Sequence, residues 1–131
     1  MPNYMLLLYS TEPADAAEIA ERDANLPEWK RVIDELEANG SFVGSGRLLP
    51  VETATTIRVR DHETELTDGP FAVTKEILGG YFILDCEDLD AATAAAEKLP
   101  VARFGSVEVR PLMPAEDMLR YRDTSEATAG A

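Results

Sequence analysis

The sequence predicts an α+β fold in which a β-α-β-β-α-β order carries an extra β-hairpin at its centre. Three observations predict it. Residues 4–9 and 81–84 are short runs with apolar side chains on both strand faces. Apolar residues recur at helical spacing behind Glu12-Pro13 and again behind Pro27. Residues 55–60 end in a strict alternation, Ile57 and Val59 on one face, Arg58 and Arg60 on the other.

The elements follow in order. Tyr4-Met5-Leu6-Leu7-Leu8-Tyr9 is the first strand. Ala16, Ala17, Ile19 and Ala20 mark a first helix; Trp29, Val32, Ile33 and Leu36 form the stripe of a second, with Pro27 at its start and Gly40 as its stop. A second strand near residues 42–46 exits through Leu48-Leu49-Pro50. The hairpin then runs out along 55–60, turns over Asp61-His62-Glu63-Thr64 and returns along 65–67, until Asp68-Gly69-Pro70 breaks it at a corner. Gly79-Gly80 leads into the second apolar strand. An alanine-rich helix over 88–99 starts at Asp88 or Asp90 and closes at Pro100, and residues 106–112 form the last strand. One domain over 1–121 and a disordered tail over 122–131 complete the expectation.

This is the ferredoxin-like arrangement, with both helical connections on one side of an antiparallel sheet. The helices cover one sheet face, yet the strands at 4–9 and 81–84 are apolar on both. An open face of that kind calls for burial against a second copy, so a homodimer is expected.

Composition narrows the function. Twelve basic residues against 25 acidic ones leave a formal charge of −13, which disfavours direct nucleic-acid or membrane binding. The acidic run from Glu12 to Asp23 reads as a solvated helix face or a surface for a basic partner. Cys86 is the single cysteine, in keeping with a reducing, cytoplasmic setting, and no apolar run reaches the ~20 residues of a membrane span.

The stretch Asp68-Gly69-Pro70-Phe71-Ala72-Val73-Thr74-Lys75-Glu76-Ile77-Leu78-Gly79-Gly80-Tyr81 resembles the signature of the DGPF branch of YCII-related proteins. Residues 4–9, 54–60 and 102–111 are similar to the same branch, so the resemblance spans nearly the whole chain outside the tail. It implies a dimeric α-β barrel. It also implies a link to extracytoplasmic-function sigma factors, and in some relatives a His–Asp pair in the dimer cleft, one branch resembling a lyase for chlorinated ring-cleavage products. The pair does not carry over. The only histidine, His62, falls in the expected hairpin turn.

The remaining chemical candidates are charged motif residues. Asp68 and Glu76 are the candidate general bases, and Lys75, Tyr81, Arg103, Glu108 and Arg110 the candidate ligand-binding residues. If Val107 and Val109 face the helices, Glu108 and Arg110 point into the dimer cleft, where a guanidinium suits an anionic small molecule. Each also has a structural reading: Asp68 as a turn residue, Lys75-Glu76 as an ion pair, Glu108 and Arg110 as cross-strand partners. Gly44-Ser45-Gly46-Arg47 reads as strand rather than a phosphate loop, and Cys86 as a packed side chain. No cofactor motif and no His or Cys cluster for a metal is present. Two functions follow: a dimer that binds a small anionic molecule and does acid–base chemistry of the lyase or isomerase type, or a non-catalytic accessory protein to a sigma factor.

Overall fold

The computed structural model describes residues 1–69 and 75–118. Pro70 and the next four motif residues, and the expected tail over 122–131, lie outside the described residues. Strand β1 (Asn3–Ser10) is followed by helices α1 (Ala16–Asp23) and α2 (Leu26–Ala38) and strand β2 (Phe42–Arg47). Strands β3 (Thr55–Arg60), β4 (Glu63–Asp68) and β5 (Ile77–Asp85), helix α3 (Leu89–Glu97) and strand β6 (Ser106–Pro111) complete the order.

Local chemistry accounts for the ends of these elements. Asp15 caps α1 by accepting from the Glu18 amide at 2.9 Å, and Asp88 caps α3 by accepting from the Ala91 amide at 2.9 Å. Helix α2 stops at Gly40, whose φ of 79° reverses the chain so that the Ser41 amide donates to the Leu36 carbonyl at 3.0 Å. The hairpin turn is tighter than expected from sequence. Asp61 and His62 alone make it, with φ of 53° and 66°, and pairing resumes at Glu63. Two consecutive positive-φ residues give a turn whose twist matches that of the strands, and Asp and His are among the residues that tolerate this region.

Strands β2, β5, β1 and β6 lie side by side in that order, every neighbour antiparallel. Strand β5 slots between β1 and β2, and β1 between β5 and β6, an order compatible with the ferredoxin-like expectation. Strands β3 and β4 form a separate two-stranded sheet.

Alternation sorts the side chains. Tyr4 and Leu6 of β1 and Phe82 and Leu84 of β5 are buried against Val32, Leu36, Ala92, Ala96 and Leu99. Alanines on α3 bring that helix close to the sheet, and the Phe82 ring meets Trp29 and Phe42 edge-on at 6.1 and 6.2 Å. Leu6, Leu84 and Leu99 have no exposed surface, so each contributes on the order of 2 kcal/mol of burial. Helix α1 forms where the sequence places it, yet none of its residues is buried and Ile19 is 48% exposed. Polar contacts hold it instead: Arg22 donates to Glu18 at 2.8 Å and lies 4.9 Å from the centre of the Phe104 ring.

Candidate functional site

The second face of the four-stranded sheet carries the residues that β1 and β5 do not direct at the helices. Cross-strand register aligns them in rows. One row runs Glu108, Leu7, Tyr81, Gly46; the next runs Arg110, Met5, Ile83, Gly44. Met5, Leu7, Tyr81 and Ile83 are half-buried, while Glu108 and Arg110 on β6 are exposed. The face therefore has an apolar floor with charge along one edge.

The glycines of β2 shape the opposite edge. A Cβ at Gly46 would lie 2.7 Å from Cε1 of Tyr81 and 3.0 Å from its hydroxyl oxygen, so the phenol ring lies across β2 in the space glycine leaves. Nothing stands within 4 Å of a Cβ at Gly44. The loop-like glycine pair read from sequence is thus strand, as expected, and its lack of side chains seats Tyr81.

At the end of the sheet two polar contacts close the group. Ser106 Oγ donates to Glu76 Oε2 at 2.8 Å, and Tyr9 Oη donates to Glu108 Oε1 at a longer 3.4 Å. Tyr9 and Ser106 face each other in the register, so Tyr9, Glu76, Ser106 and Glu108 gather where β1, β5 and β6 meet. Tyr9 and Ser106 were not among the residues singled out by sequence. Strand parity could have found them, because Tyr9 is two residues from Leu7 and Ser106 two from Glu108.

The other candidates are placed elsewhere. Asp68 ends β4, opposite Thr55 on the hairpin, and Lys75 is exposed just ahead of β5. Arg103 sits in the 3-10 turn Pro100–Arg103 and makes a two-pronged contact with Glu28 of α2, at 2.8 and 2.7 Å. That guanidinium holds the Glu28 carboxyl below the usual carboxylate range, with Arg31 adding to the effect. Arg103 thereby ties the turn after α3 to α2, on the helical side of the sheet. The groove beside it, about 340 Å³, also holds Lys98, which pairs with Glu35 at 2.6 Å. Two of its cations are thus already matched by carboxylates.

His62 is exposed at the hairpin tip. Cys86 is buried behind the sheet, where desolvation, reinforced by Asp85 and Asp88, pushes its thiol pKa up and away from nucleophile chemistry. Among the described residues no group of three His, Cys, Asp or Glu is placed to hold a metal ion, and no helix is long and apolar enough to cross a membrane.

An uncharacterized protein of Rhizobium meliloti (strain 1021) is 39% identical over 118 residues, which covers 83% of this chain and 90% of that protein. A family model described as the YCII-related domain matches residues 3–116, from the start of β1 to beyond the end of β6. The chain belongs to the YCII-related family.

Proposed function

We propose that this YCII-related protein, of the DGPF branch, pairs through its uncovered sheet faces into a dimeric α-β barrel. In that dimer it binds a small anionic molecule in the cleft between the subunits. The observation that carries the reading is the open face itself: an apolar floor of Met5, Leu7 and Ile83, bordered by Tyr81, Glu76, Glu108 and Arg110. A half-buried apolar floor favours a covered site, and an exposed guanidinium at its edge favours a carboxylate or phosphate through paired hydrogen bonds.

The chemistry available to this group is proton transfer. Glu76 is held by the Ser106 hydroxyl and Glu108 by the Tyr9 phenol, so two carboxylates and two hydroxyl groups sit on one surface. A lyase or isomerase step, in which one carboxylate removes a proton from bound substrate and a neighbouring acid returns one, is the reaction class that fits. Glu76 is the carboxylate we assign as base.

Sedimentation and thermal-shift screening with small carboxylates and phosphates test the reading. The expected result is a dimer whose melting temperature rises with one class of anion, and an Arg110→Ala variant that loses the rise while remaining dimeric. A monomer, or a broad panel without any shift, overturns it; co-purification with a sigma factor would then favour the accessory role.

A further inference from the structure

The hairpin of β3 and β4 is built with one face for water and one for burial. On the first, Arg58 stands opposite Glu65 and Arg60 opposite Glu63, so charges are matched across the strands. The second bears Ile57 opposite Leu66, with Val59 beside them; these three are 64%, 67% and 57% exposed. An isolated two-stranded hairpin is marginally stable in water, and an apolar row of this kind needs cover. Leu48 and Leu49, 47% and 76% exposed, add apolar surface in the link between β2 and the hairpin.

The footprint indicates what supplies that cover. Four strands at about 4.8 Å spacing and about six residues of 3.3 Å rise give a sheet face of roughly 400 Å² in projection. A stable pair of subunits buries about 800 Å² on each. The apolar ledge of the hairpin, by the same spacing about 200 Å² in projection, adds half again to that face, toward the area such a pair needs. The hairpin follows β2, an edge strand of that sheet, in the chain. We infer that the hairpin is an intersubunit arm: its Ile57, Val59 and Leu66 face packs on a second copy of this chain. This rests on the dimer proposed above.

The test compares the dissociation constant of the full-length dimer, by sedimentation across a concentration series, in three proteins. Ile57→Glu/Leu66→Glu is expected to weaken the dimer by at least about 100-fold, about 2.8 kcal/mol at 1.4 kcal/mol per tenfold, because it sets two charges on a face that packs on the partner. Its circular dichroism stays that of a folded subunit. Arg60→Gln, on the solvated face, leaves the constant unchanged. A wild-type dimer whose constant is unaffected by the double substitution overturns the arm while leaving the dimer itself standing; so does a double variant that melts lower by the same amount at every concentration, which places the hairpin against its own chain. A wild-type monomer overturns the arm together with the dimer.

Discussion

Adjacent glycines in the signature motif are expected to respond to alanine with opposite signs. At Gly80 a Cβ would stand 2.7 Å from the Gly46 carbonyl oxygen and 3.6 Å from the Arg47 Cα, both backbone atoms of β2. The oxygen cannot swing aside as a side chain would, so β2 and β5 must part by several tenths of an ångström where Tyr81 lies over Gly46. Overpacking of this kind costs about 1–3 kcal/mol, against a gain of about 0.4–1 kcal/mol from the stiffer unfolded chain. A net loss of about 1–2 kcal/mol is expected for Gly80→Ala. At Gly79, one residue earlier and at the irregularity where Leu8 and Tyr9 change register, a Cβ meets only the Leu8 carbonyl oxygen at 3.8 Å, an ordinary contact. Gly79→Ala is therefore expected to be neutral or to stabilise by up to about 1 kcal/mol. Urea unfolding followed by circular dichroism measures both, the midpoints moving in opposite directions at constant slope. Gly80→Ala matching or exceeding Gly79→Ala in stability would refute the argument that β2 approaches too closely for a side chain.

Two further expectations come from the ion pair and the cysteine. Because Arg103 lowers the Glu28 pKa in the folded chain, the pair contributes stability above the ordinary glutamate value of about 4.3 and loses it as pH falls through the lower folded value. Arg103→Met should thus be less stable than wild type at pH 7, the gap narrowing below about pH 4.5 in pH-dependent melts, while anion-induced shifts are unaffected. The raised thiol pKa and burial of Cys86 predict slow labelling by an aromatic disulfide in buffer and rapid labelling in urea; equal rates would mean the thiol is accessible in the native chain.

The two faces of this sheet are legible in the sequence. The parity of β6 separates Val107 and Val109 from Glu108 and Arg110, and burial follows that division. Residues 4–9 and 81–84 lack a polar face, which marks a sheet with two surfaces to bury. Arg103 could not be placed this way. It follows Pro100 in an irregular turn, where no period says which way a side chain points, and its partner Glu28 lies 75 positions away. The apolar spacing of α1 locates the helix but not what holds it, which is the Asp15 cap and Arg22 rather than burial.

Local chemistry in the chain determines the kinds of element, their order, and the caps and turns that end them, since each depends on neighbours a few residues apart. Which strands adjoin is a different matter. Seating β5 between β1 and β2, laying Tyr81 over Gly46, and bringing Glu76 to Ser106 all depend on contacts between distant segments, which only the folded packing of the sheet decides.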